Sequence, residues 1–110
     1  MSEAFLDGRV RVAQPVNGFR SGLDGVMLAA AVPARAGERV LELGAGAGTA
    51  SLCLMARVPE LALTGVEIDP ALTELAVSNA EANGMPARFV TADVFALPAE
   101  LKRDFDQVFC

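Results

Sequence analysis

Val40-Leu41-Glu42-Leu43-Gly44-Ala45-Gly46-Ala47-Gly48 decides how this chain folds. An apolar run carrying one acid enters a loop with glycine at every second position. Nineteen residues beyond Gly48, a second apolar run, Leu63-Thr64-Gly65-Val66, ends in Glu67. Strand, glycine turn, helix and a second strand tipped by a carboxylate make a nucleoside-binding βαβ unit. Glycine lets backbone approach a ligand where a Cβ would collide. A carboxylate ending the second strand is placed to accept hydrogen bonds from two ribose hydroxyls.

Working outward from this unit, residues 3–13 read as a hairpin. Asp7-Gly8 is a turn dipeptide, and Arg9-Val10-Arg11-Val12 alternates at strand period. Gln14-Pro15-Val16-Asn17-Gly18 is a loop by composition. Asp24 is placed to cap a short helix over residues 25–31, which Pro33 stops. The first parallel strand covers residues 39–43, a helix runs from 49 to 57, and the second strand covers 61–67. Asp69-Pro70 opens a long helix that keeps Leu72, Leu75, Ala76 and Ala80 on one apolar face, and Asn83-Gly84 closes it. A third strand spans 88–91 and runs into Ala92-Asp93-Val94. A short turn or helix follows at 98–103, and a fourth strand begins at 105–110. Strands alternating with helices predict a parallel, right-handed α/β sheet.

Composition bounds the function. The chain has 110 residues, 53% of them hydrophobic, enough for one core. A net charge of −5 with scattered cations offers no broad surface for a polyanion. Histidine is absent, so no histidine base or ligand exists, and two cysteines make no metal cluster or disulfide framework. Cys53 reads as a small buried hydrophobe and Cys110 as a strand residue. The start, Met1-Ser2-Glu3-Ala4-Phe5, lacks the pattern of a signal peptide, and no apolar run approaches membrane-spanning length. The expectation is a soluble, cytoplasmic protein with no metal and no membrane partner.

The glycine spacing separates two cofactor classes. The dinucleotide fingerprint places its third glycine where this chain has Thr49, and its helix N-terminus receives a pyrophosphate. Glu42, two residues before Gly44, is ill placed beside a pyrophosphate. A carboxylate there suits a cationic, phosphate-free ligand with an amino group. S-adenosylmethionine, with its sulfonium, amino-acid head and ribose, is such a ligand.

These segments together resemble the class I S-adenosylmethionine-dependent methyltransferases over nearly the whole chain. Residues 42–48 resemble the family's glycine motif, Val66-Glu67-Ile68-Asp69 its acidic motif, and Ala92-Asp93-Val94 the motif after the third strand. The resemblance implies a Rossmann-like fold truncated to about its first four parallel strands, with an N-terminal β-hairpin and short helix. Residues 1–34 would form the hairpin and cofactor-capping segment, and residues 35–110 the cofactor-binding half. It further implies that Gly44, Gly46 and Gly48 line the methionine and ribose and that Glu67 binds both ribose hydroxyls. Ile68 and Val94 would pack on the adenine faces, with Asp93 accepting the adenine amino group. Asp69 reads as a helix cap only.

A narrower resemblance lies in residues 14–28, from Gln14-Pro15 through Asn17-Gly18-Phe19-Arg20 to Leu23-Asp24-Gly25. This stretch is similar to the segment before the glycine motif in adenine-N6 methyltransferases, and especially in the bacterial enzymes that methylate valine tRNA beside the anticodon. It implies that Arg20 meets the cofactor carboxylate and Asp24 its amino group. Arg20 is otherwise a surface or sheet-packing arginine, and Asp24 otherwise the helix cap. In that family Asn-Pro-Pro-Tyr follows the fourth strand and holds the target amine and flipped base. The motif is absent here, so the expectation is a cofactor-binding, non-transferring part of an enzyme whose intact form acts on RNA, with tRNA as the substrate.

Other readings stay open. A protein glutamine-N5 methyltransferase shares the Asn-Pro-Pro-Tyr ending, a nicotinamide-dependent oxidoreductase shares the βαβ unit, and a non-catalytic binding module needs neither. The fold also implies that the first strand is flanked by the second and fourth. The fourth is then an apolar edge along which copies of the chain would dimerise or a further partner segment would pair.

Overall fold

The computed structural model describes residues 2–16 and 22–110. The hairpin forms as expected, with β1 (Ser2–Phe5) antiparallel to β2 (Val10–Ala13). Asp7 and Gly8 turn it at φ of 55° and 83°, and the Arg9 N–H closes it on the Leu6 carbonyl at 3.2 Å. Positive φ at both central residues gives the turn the same hand of twist as the strands it joins.

The main sheet consists of β3 (Arg39–Leu43), β4 (Ala62–Glu67), β5 (Arg88–Thr91) and β6 (Gln107–Phe109). Its order is β5-β4-β3-β6 and all pairings are parallel, so the first parallel strand is indeed flanked by the second and the fourth. This order dictates where the connections go. The steps β3 to β4 and β4 to β5 move in one direction, so right-handed crossovers place α2 (Thr49–Arg57) and α3 (Pro70–Ala82) on the same face. The return from β5 past β3 to β6 reverses direction and runs over the other face. The reversal lies between β3 and β6, and the crevice beyond their carboxyl ends is where α/β sheets bind ligands.

Side-chain alternation sorts the core accordingly. Val40, Leu63 and Phe89 face α2, α3, α1 (Leu23–Ala31) and the hairpin, joining Leu52, Leu54, Ala76, Val10 and Val12 in the larger cluster. Leu41 and Val66 face the other way, with Leu101 buried on them and Leu97 and Phe105 packed alongside. Gly65 is required in mid-strand: a Cβ there would stand 2.6 Å from the Phe89 ring and 2.9 Å from the Ala45 Cβ.

α3 begins and ends as its sequence predicts. Asp69 caps it by accepting the Ala71 N–H at 2.9 Å, Pro70 occupies the first helical position, and Gly84 closes it at φ 65°. α1 differs from expectation. It starts at Leu23 with Gly22 as its N-cap, so Asp24 is inside the first turn, where its carboxylate reaches back to the Gly22 N–H at 3.2 Å. A carboxylate in the first turn is favoured by the unpaired N–H groups of the helix start. β6 is shorter than expected: Phe105 is spent under the Arg39 guanidinium, 4.8 Å from its ring centre, and Asp106 accepts the Arg39 N–H at 2.8 Å. Cys110 lies beyond β6, exposed, and is not a strand residue.

Candidate functional site

The glycine loop leaves the end of β3 and is clasped to the end of β4. The Val66 carbonyl accepts both the Gly44 and Ala45 N–H groups, at 2.8 and 2.9 Å. The Gly46 N–H donates to Glu67 Oε1 at 2.8 Å, and the Asp69 N–H to Oε2 at 3.0 Å. Two backbone donors thus hold the Glu67 carboxylate in place, and each oxygen keeps acceptor capacity for a ligand hydroxyl.

The three glycines divide into two roles. A Cβ at Gly44 or Gly46 would meet no protein atom within 4 Å, so the loop presents bare backbone to open space. Gly48 is buried at φ 94°, where a Cβ would stand 3.2 Å from the Phe89 ring and 3.4 Å from the Ala76 Cβ. It lies against α3 and away from the cavity, so its part in the site is to let α2 start close to α3.

Two cavities meet at Gly44 and Glu67. The first, about 300 Å³, extends from Glu67 past Gly46 to Glu42, Asp24 and Gly25, with Leu28, Leu72 and Cys110 on its walls. Three carboxylates and no cation line it among the described residues. The second, about 380 Å³, lies between Ile68 and Val94, with Asp93 and Phe95 at its rim. Asp93 caps a single 3₁₀ turn (Val94–Ala96) by accepting the Phe95 N–H at 2.9 Å. Ile68, Val94 and Phe95 are exposed, Phe95 at 96%. An acidic chamber, a clasped carboxylate and an apolar slot with an acid at its rim suit a cationic amino-acid group, a ribose and a purine in that order.

Glu42 is the most perturbed acid. It is buried at 4% exposure, and its Oε1 accepts the Ser51 hydroxyl at 2.5 Å. Burial pushes its pKa up to about 7, the Ser51 hydrogen bonds oppose this, and the nearby Glu67 adds to it. It is therefore poised between neutral and ionised forms at neutral pH, and a cation entering the chamber favours the ionised form.

The structure thus brings Asp24, Glu42, Gly44, Gly46, Glu67, Ile68, Asp93 and Val94 to one crevice. Arg20 lies outside the described residues. Sequence reasoning missed Ser51, Leu72, Phe95 and the buried Asn79. Asn79 carried a signal, because it interrupts the apolar face of α3 with a polar side chain. Ser51 carried none, since its partner Glu42 is on another element. Among the described residues no cluster of three or more potential metal ligands forms, and no helix is long and apolar enough to cross a membrane.

Comparison with known proteins agrees with this geometry. Residues 40–110 match the family described as methyltransferase domain. A tRNA1(Val) (adenine(37)-N6)-methyltransferase of Yersinia pestis (strain Pestoides F) is 41% identical over 64 residues, covering 57% of this chain and 26% of the relative. The chain thus spans about a quarter of the length of the curated relatives it matches. The crystal structure of TrmN from Thermus thermophilus superimposes with a TM-score of 0.62 at 30% identity, covering 78% of this chain and 25% of that one. A coclaurine N-methyltransferase bound to N-methylheliamine and SAH shares the fold at a TM-score of 0.68 and 16% identity, covering 78% of this chain and 25% of that one. The chain belongs to the methyltransferase domain family, and its cofactor is S-adenosylmethionine.

Proposed function

We propose that this chain supplies the cofactor site of an enzyme that methylates the exocyclic N6 amine of an adenine in tRNA. The observation that carries the cofactor assignment is the meeting of an acidic cavity and an apolar one at Gly44 and Glu67. In this reading Glu67 takes the two ribose hydroxyls, and Gly44 and Gly46 let the ligand lie on the loop backbone. Ile68 and Val94 cover the adenine faces and Asp93 accepts its amino group. Glu42 and Asp24 hold the ammonium end, with Arg20 assigned to the cofactor carboxylate. When bound, S-adenosylmethionine supplies an electrophilic methyl group on its sulfonium. The chain's residues bind and orient it in an electronegative pocket, their share of catalysis by positioning. The adenine and tRNA assignment is supported by the 41% identity to the tRNA1(Val) enzymes over 64 residues of this chain.

The test has two arms. Calorimetry with S-adenosylhomocysteine and with NAD decides the cofactor: binding of the first that is lost in Glu67→Ala is expected, and preferential binding of NAD refutes the assignment. Methyl transfer by the full-length enzyme to tRNA or to a glutamine-containing protein decides the acceptor. Label in the protein and none in tRNA refutes the adenine reading.

The same reading includes self-association. β6 is a sheet edge among the described strands and Val108 on it is 57% exposed, so copies of the chain pair along it. Light scattering that shows only monomer at high concentration excludes this.

A further inference from the structure

Asn79 on α3 and Asn83, the residue that caps its C-terminus, lie one turn apart, and their side-chain amides substitute for a strand along the free edge of β2. Asn79 Oδ1 accepts the Ala13 N–H at 2.8 Å, and its Nδ2 donates to the Ala13 carbonyl at 3.0 Å. Asn83 repeats the pattern two strand residues earlier: Oδ1 accepts the Arg11 N–H at 3.0 Å, and Nδ2 donates to the Arg11 carbonyl at 2.7 Å. The match is geometric. Four residues of helix advance about 6 Å, close to the roughly 6.6 Å between alternate residues of a strand, whose N–H and C=O point to the same side.

The two asparagines differ in their remaining donor bond. Asn83 Nδ2 also donates within α3, to the Asn79 carbonyl at 2.7 Å. Asn79 Nδ2 instead donates to the carbonyl of Ala47, inside the glycine loop, at 2.9 Å, and the amide is buried at 3% exposure. The loop is therefore gripped from two sides: Glu67 takes the Gly46 N–H, and Asn79 supports the Ala47 carbonyl.

We propose that Asn79 is a positioning residue for the cofactor, coupling the hairpin edge to the conformation of the glycine loop without touching the ligand. Its loss leaves the buried Ala47 carbonyl unpaired and frees the loop to rotate away from Glu67. The Ala13 bonds fix where β2 ends, at the root of the segment leading to Asp24 in the acidic chamber. Asn83 holds the same hairpin but has no bond to the loop, which makes it the internal control.

The test compares Asn79→Asp with Asn83→Asp in the isotope-labelled chain, reading amide hydrogen exchange at Gly46 and binding of S-adenosylhomocysteine. Asn79→Asp keeps the acceptor and removes both donors. It is expected to lower Gly46 protection about tenfold and weaken binding about tenfold, beyond any change in global stability. Asn83→Asp is expected to lower protection at Arg11 while leaving Gly46 and the affinity within about twofold. If both variants change Gly46 and affinity equally, or in proportion to stability, the coupling is absent. Should Asn79→Asp not fold, the alanine pair Asn79→Ala and Asn83→Ala is read in the same way. The exchange measurement needs no ligand, so a failure of the coupling is distinct from a failure of the cofactor roles assigned above.

Discussion

Replacing Glu42 by glutamine should make the protein more stable at alkaline pH and a worse binder of its cofactor. The substitution keeps the shape and an oxygen for the Ser51 hydroxyl but removes the ionisation. Glu42 titrates near 7 in the fold against an ordinary value of 4.5. Ionised Glu42 is thus disfavoured in the native state by about 3 kcal/mol, taking about 1.4 kcal/mol for each factor of ten in acid strength. The sign follows from proton counting. Between 4.5 and about 7 the folded chain holds a proton that the unfolded chain has released, so stability falls as pH rises through this window. Below it the wild type and Glu42→Gln should be equally stable. Near pH 8 the variant should be ahead by about 3 kcal/mol, roughly 10–20 °C in melting temperature for a domain of this size. Urea denaturation at several pH values measures this directly. Affinity for S-adenosylhomocysteine should rise with pH through about 7 in the wild type and be weaker and flat in the variant. A stability difference independent of pH would refute the claim that burial of this carboxylate governs its titration.

Further outcomes follow from named contacts. Gly65→Ala should destabilise by about 1–3 kcal/mol, because the new methyl overlaps the Phe89 ring and Ala45. Denaturation of Gly65→Ala combined with Phe89→Leu should recover part of that loss, and strict additivity would argue against the clash. If Asp93 takes the adenine amino group as proposed, Asp93→Asn should weaken S-adenosylhomocysteine binding about tenfold by calorimetry, since the amide oxygen that keeps the Phe95 N–H leaves a donor toward the adenine. An unchanged affinity would remove Asp93 from the site. Thiol labelling should modify exposed Cys110 quickly and Cys53 only on unfolding, because Cys53 is buried and its pKa is pushed up to about 11. Equal rates would contradict the packing of α2.

Most of the backbone plan follows from local chemistry that needs no partner. Asp69-Pro70 starts α3 and Asn83-Gly84 ends it through bonds within a few residues, so both boundaries are legible from sequence. The period-two run of β2 and the apolar runs of β3 and β4 declare strands, and their alternation with helices declares a parallel sheet. The start of α1 is the exception: Asp24 is equally suited to an N-cap or a first-turn position, and Gly22, which carries no side-chain signal, settles it. Within the site, Glu67 and the glycine loop are legible because they sit at fixed offsets from strand ends. Asp93 is legible for the same reason.

What tertiary structure alone decides is which groups stand next to each other across elements. Glu42 titrates near 7 only because burial in the fold raises its pKa against the opposing hydrogen bonds of Ser51, nine residues away. Gly48 and Gly44 look alike in the glycine motif, yet one is enclosed by Phe89 and Ala76 and the other faces open space. Asn79 is a polar interruption in a helix until Ala13 and Ala47 are brought to it across 66 and 32 residues. The glycine stretch from Val40 to Gly48 determined the fold because backbone conformation is local. The division of that stretch into cavity-facing and packing positions is a property of the surfaces that close around it.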